Sequence, residues 1–104
     1  MVLFDPDVEH FLYDLVEILY RKEYFGFYEN ADDYVTFLMH DIVDSIDKKP
    51  SKPASAYFEK YGRDMSYAVF KKNKQTHWYV FFNQEDDIYY IRYMSNNHVM
   101  AQHL

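Results

Sequence analysis

The stretch from Thr76 to His98 constrains the fold more than any other part of the chain. Thr-His-Trp-Tyr-Val-Phe-Phe-Asn leads into the polar break Gln-Glu-Asp-Asp, then Ile-Tyr-Tyr-Ile-Arg-Tyr-Met-Ser and Asn-Asn-His. Two aromatic and β-branched runs joined by a short polar loop predict a β-hairpin. A period of two places Trp78, Val80 and Phe82 on one face of the first strand and His77, Tyr79 and Phe81 on the other. In the second strand it separates Tyr89, Ile91 and Tyr93 from Ile88, Tyr90, Arg92 and Met94. Neither face is plainly polar. A sheet with helices on one face should show a wet second face, so His77, Tyr79, Tyr90 and Arg92 are expected to form a surface kept aromatic and polar for a partner or substrate.

The first half of the chain has a different period. Asp5-Pro6-Asp7 opens a helix with a capping carboxylate, a proline whose missing N–H does no harm, and a second acid at the positive end of the dipole. Val8, Phe11, Leu12, Leu15 and Leu19 recur at helical spacing, widened by Val16 and Ile18. This helix is expected to end near Tyr24, with Gly26 as its stop. Asn30 is expected to cap a second helix with the stripe Tyr34, Val35, Leu38, Met39, Ile42 and Ile46. So short a connection makes the two helices an antiparallel hairpin. Val2 to Phe4 is left for a leading strand. Asp47 to Ser55, with two prolines and three lysines, reads as loop. Ala56 to Tyr61 is ambiguous between strand and helical turn, and Met65 to Lys71 alternates as a strand. The expected fold is a single α+β domain over residues 1–104, a helical hairpin on one face of a three- to four-stranded antiparallel sheet.

Charge is unevenly distributed along this order. The net charge is −6, yet residues 1–47 hold 12 acids against Arg21 and Lys22. Residues 48–77 hold eight bases against Glu59 and Asp64. Such asymmetry points to a local anion-facing surface that the acidic total conceals. The absence of cysteine excludes thiolate catalysis, disulfides and cysteine-based zinc sites, and fits a reducing compartment. With no basic and apolar leader and no apolar run long enough to span a bilayer, a cytoplasmic protein with no membrane partner is expected.

The order of elements, the basic residues before and between the strands, the aromatic strand Trp78-Tyr79-Val80-Phe81-Phe82 and the strand Ile91-Arg92-Tyr93-Met94 ending in Asn96-Asn97-His98 resemble the RelE/ParE superfamily of toxins. In that family a helical hairpin packs on a small twisted antiparallel sheet. The open side either cuts messenger RNA in the ribosome or, in the ParE branch, poisons DNA gyrase, and a cognate antitoxin wraps the toxin. The resemblance therefore implies an antitoxin partner, and the expected function is that of a metal-independent endoribonuclease acting on ribosome-bound mRNA, with poisoning of gyrase as the alternative. It puts His77 where the family often carries a basic residue at a strand entry, Arg92 where an arginine or lysine is common, and His98 where ribonuclease members carry a histidine or tyrosine. Lys60, Arg63, Lys71 and Lys72 sit where phosphate-binding residues are placed. The chain departs from the pattern in its short leading strand and its acidic first half.

Cutting RNA by 2′-hydroxyl attack needs a base, cations for the charge growing on phosphorus, and a donor for the leaving oxygen. His77, Arg92 and His98 are the candidate catalytic set, with Lys71 and Lys72 holding the backbone and Tyr79 and Tyr90 stacking an unpaired base. No metal or other cofactor is expected. His40, Asp44 and Asp47 share a helix face at i, i+4 and i+7, a pattern more often a solvated surface than a metal site. The plainer alternatives are a strand-rim role for His77, an Arg92 paired with a nearby acid, solvated lysines, and an aromatic face that only docks a protein.

Overall fold

The computed structural model describes residues 1–21, 28–72, 74 and 76–97. Strand β1 (Val2–Phe4) is followed by α1 (Pro6–Arg21), α2 (Tyr28–Ser45), a 3₁₀ turn (Ile46–Lys48), β2 (Ser51–Pro53), a 3₁₀ helix (Ala56–Tyr61), β3 (Ser66–Lys71), β4 (His77–Glu85) and β5 (Ile88–Asn96). The Asp5 carbonyl accepts from Val8 N–H at 2.9 Å and Glu9 N–H at 3.1 Å, and its carboxylate accepts from Asp7 N–H at 3.3 Å, so Asp5 caps α1 as its sequence context demands. Asn30 lies inside α2 and is not its cap, because the helix already begins at Tyr28. The expected stop at Gly26 lies outside the described residues.

The sheet has five strands in the order β1-β5-β4-β3-β2, one more than the upper expectation, and it is mixed. The extra strand is Ser51–Pro53, in the stretch expected to be loop. It lies at the sheet edge, where Pro53 leaves no central ladder bond unmade, and pairs with Ser66 to Ala68. β1 runs parallel to β5, with Leu3 opposite Tyr90. The pairs β2–β3, β3–β4 and β4–β5 are antiparallel, so the β1–β5 pair is what makes the sheet mixed.

A bulge in β5 has wider consequences. Phe81 pairs with Tyr93 and Phe82 with Ile91, so Arg92 is an extra residue between them. Insertion of one residue exchanges the faces of everything beyond it. Tyr93 therefore joins Phe81 on the second face and Met94 joins Val80 under the helices, the reverse of the strict alternation expected for that strand. The β4–β5 turn is the two-residue Asp86-Asp87, with Asp86 at φ 54°, a left-handed value that aspartate tolerates.

The main core lies between the helices and the first face: Val8, Leu12, Leu15, Val16, Val35, Leu38, Ile42 and Ile46 bury against Phe70, Trp78, Val80, Phe82, Ile91 and Met94. Trp78 is 2% exposed, and its indole N–H donates to the Tyr34 hydroxyl at 2.9 Å. Ile18, expected to widen the α1 stripe, is 43% exposed. The second face is not open. The 3₁₀ helix folds across it, and Phe58, Met65, Tyr79 and Phe81 form a smaller core with Tyr61, Tyr67, Val69 and Tyr93 around it. Among the described residues no helix is long and apolar enough to cross a membrane.

Candidate functional site

The strand register fixes the neighbours of the residues singled out above. His77 opens β4 opposite Lys71, the last residue of β3. Its backbone N–H donates to the Asn97 side-chain oxygen at 2.9 Å, which closes this end of the sheet. Lys71 is exposed and His77 half-buried, so a cation stands beside an imidazole that solvent can reach. Lys52 joins the same side from β2, being opposite Tyr67, whose ring packs in the smaller core.

Arg92 stands elsewhere. Its Nε donates to the Asn83 side-chain oxygen at 3.0 Å, and a terminal guanidinium nitrogen lies 3.7 Å from the Asp5 carboxylate. The Asn83 amide in turn donates to the Arg63 carbonyl at 2.9 Å. This chain of contacts ties the start of α1, the β5 bulge, the middle of β4 and the turn after the 3₁₀ helix into one polar clamp. From Arg92 to Asn97, the neighbour of His77, is five steps of strand, roughly 16 Å at about 3.3 Å per residue. Groups sharing one proton-transfer site must lie within hydrogen-bond reach of the reacting atoms, so His77 and Arg92 do not meet on one phosphate. His98, the third member of the expected set, lies outside the described residues.

The binding residues are dispersed in the same way. The Lys60 ammonium sits 4.2 Å over the Tyr57 ring and 5.4 Å from that of Tyr61, so the 3₁₀ helix presents a cation braced on aromatic rings. Arg63 is exposed in the following turn. Lys72 turns to the helical side, with its ammonium 3.6 Å from the Asp41 carboxylate and a side chain 17% exposed. Tyr79 is 9% exposed and packs edge-on to Tyr67, so it is a core residue and no platform for a base. Tyr90 is half-buried near the β1 edge, between Leu3 and Asn83. His40 and Asp44 lie on α2, but Asp47 falls in the 3₁₀ turn after it and not on the same helix; among the described residues no group of three or more histidine, cysteine or carboxylate side chains is placed to hold a metal ion.

Four participants were not singled out as site residues in the sequence. Tyr61 and Tyr93 stack in parallel with ring centroids 3.7 Å apart. Burial, and next the Tyr61 hydroxyl beside it, push the Tyr93 phenol up to about 12, so it is a donor and not a base near neutral pH. Asn83 joins Arg92 to Arg63, and the available signal was an amide inside an otherwise aromatic strand, where asparagine is disfavoured. Asp5 was visible only as a helix cap.

The charge blocks separate in part: Lys72 pairs with Asp41 and Lys49 lies over Phe70 of the helix-side core. The exposed acids Asp7, Glu9, Asp14, Asp32, Asp33 and Asp44 lie on the helices, while Lys52, Lys60, Arg63 and Lys71 lie on β2, β3 and the 3₁₀ layer. Comparison with protein-family models, with curated proteins and with solved structures finds no match to this chain.

Proposed function

We propose that this protein is the toxin of a RelE/ParE-like toxin–antitoxin pair, acting in the cytoplasm through the basic side of its sheet. The observation that carries the reading is the two-sided build. A helical hairpin covers one face, β1 lies beside the last strand, and Lys52, Lys60, Arg63, Lys71 and His77 are spread over the other strands and the 3₁₀ layer. Of the two activities the resemblance implies, arrest of DNA gyrase by binding is favoured by one feature. The Arg92 guanidinium is held by Asp5 and Asn83, and a poison that acts by docking needs a surface and no acid–base pair.

Metal-independent cleavage of ribosome-bound mRNA remains the second reading, and His77 beside Lys71 favours it. An imidazole can move a proton near neutral pH while the ammonium draws in a phosphate. The test is tightly induced expression without antitoxin, with mRNA ends mapped on translating ribosomes and supercoiling by purified gyrase measured in parallel. Growth arrest with intact mRNA and stalled gyrase supports the docking poison. In-frame mRNA cuts that vanish in His77→Ala and persist in Arg92→Ala transfer the assignment to the nuclease. Harmless expression removes the toxin reading and leaves a protein-interaction module.

A further inference from the structure

The sheet has two edges, and they are built differently. β2 offers Ser51-Lys52-Pro53, where the lysine is exposed and the proline lacks an N–H, two devices that discourage a further strand. β1 offers Val2-Leu3-Phe4, with no charge and no proline, and it stands last in the strand order. Both its ends are pinned to β5: Tyr89 N–H donates to the Met1 carbonyl and Asp5 N–H to the Ile91 carbonyl, each at 2.9 Å. Backbone groups alternate in direction along a strand, so Met1, Leu3 and Asp5 turn theirs toward β5 while Val2 and Phe4 turn theirs outward. The side chains of Val2 and Phe4 pack against the helix-side core, whereas Leu3 lies on the second face, 43% exposed.

We propose that β1 pairs antiparallel with β1 of a second copy, joining the two five-stranded sheets edge to edge. A two-fold axis through Leu3 sets Val2 of each chain opposite Phe4 of the other. These are the residues whose N–H and C=O groups point outward, so each such pair exchanges both of its hydrogen bonds. Leu3 then meets its own copy across the axis as a non-hydrogen-bonded pair, with Cα atoms about 4.5 Å apart and both side chains on the same face. Self-pairing demands an uncharged residue at that position, since a charge would face its own sign. Leucine satisfies the demand, and its exposed side chain leaves water in the pair. Asp5, next along, brings little charge to the seam because an Arg92 guanidinium nitrogen lies 3.7 Å from its carboxylate. The register is thus its own complement, which a second copy supplies and an unrelated segment would match only by chance. Strands of three residues make a small contact, so the dimer is weak and reversible. The inference goes beyond the toxin reading and stands without it; growth arrest tests one and self-association the other.

Sedimentation equilibrium of the whole chain from about 10 µM to 1 mM is expected to show monomer and dimer in exchange, with a Kd inside that range. Over the same range amide exchange at Val2 and Phe4 is expected to slow with concentration, while that at Leu3 and Asp5, already directed at β5, stays constant. Leu3→Lys and Leu3→Glu are each expected to raise Kd at least tenfold with Tm unchanged, and mixing the two variants is expected to restore the dimer as a mixed pair. Phe37→Lys, at a site 65% exposed on α2, is expected to stay within twofold of the natural chain. A chain that is monomeric at about 1 mM, or a mixture of the two Leu3 variants that fails to pair, would overturn the proposal. A dimer that survives both Leu3 variants, or is lost in Phe37→Lys, would overturn it by placing the contact elsewhere. Slow exchange at Val2 and Phe4 that does not vary with concentration would overturn it too, by assigning the edge to another segment of the same chain.

Discussion

Replacing Phe58 by alanine tests whether the second face of the sheet is a covered core or a surface. Phe58 is fully buried, with its ring centroid 4.3 Å from that of Phe81 and 6.2 Å from that of Tyr93. A phenylalanine buries about 150 Å² or more, which at about 25 cal/mol per Å² is roughly 4 kcal/mol, matching the 3–5 kcal/mol range for Phe→Ala in cores. The measured loss has a ceiling set by how readily the 3₁₀ segment lifts off as a unit, since a segment that detaches stops contributing. Two probes separate these cases. The single tryptophan, Trp78, lies in the helix-side core and reports global unfolding in urea, whereas amide exchange in β3 and β4 reports the covered face. If the segment folds cooperatively with the sheet, Phe58→Ala lowers the Trp78-monitored stability by about 3 kcal/mol or more. If it detaches first, Trp78 moves little while exchange rises around Tyr67, Tyr79 and Phe81. A change below about 0.5 kcal/mol with unchanged exchange would refute the burial argument itself.

Arg92→Ala is expected to lower stability by about 1 kcal/mol in urea unfolding, because the clamp joins partly exposed groups, and Arg92→Lys should fail to restore it since the Nε donor to Asn83 is lost. Leu38→Ala, at a fully buried site under the sheet, should cost about 2 to 5 kcal/mol by the same measurement. The Tyr93 phenol is raised from its ordinary 10.0 to about 12, so its contribution is complete below pH 10 and is lost as the pH rises through about 12. Unfolding in urea across that window should therefore show a steeper fall for the natural chain than for Tyr93→Phe.

The helical half was legible because its signals are local. Asp5-Pro6-Asp7 and the stripe Leu12, Leu15, Leu38, Ile42 state a cap and a buried face within a few turns of chain, and those residues lie where their spacing demands. The sheet was legible in its strands but not in its faces. Nothing in Ile91-Arg92-Tyr93 announces that Arg92 will be looped out, since the bulge arises from pairing with Phe81 and Phe82, ten residues away in sequence. That single step moved Tyr93 across the sheet and Met94 under the helices. The second core was hidden for a related reason. Ala56 to Tyr61 has no amphipathic period of its own, and it becomes a 3₁₀ helix because Phe58 finds Phe81. The candidate site suffered most, because it assumed a flat strand in which His77, Tyr79, Tyr90 and Arg92 share one open surface.

The covering of the second face alters how a target would be met. Tyr79, Phe81 and Phe58 are spent on the core, so an unpaired base has no buried aromatic platform there, and recognition falls to charge and to the rim. What reaches solvent includes Lys60, braced on Tyr57, and Lys71, opposite His77 in the sheet. A cation braced on a ring loses less side-chain entropy on meeting an anion than a free lysine does, which concentrates affinity in a few positions. The exposed acids on α1 and α2 would turn an approaching anion away from the helical side. That repulsion is screened by salt over about 8 to 10 Å at physiological ionic strength, so the encounter rate depends steeply on ionic strength while the folded core does not. On the reading proposed above, a chain acidic in total would address an anion through the cations on β2, β3 and the 3₁₀ layer, with the exposed acids of α1 and α2 across the sheet from them.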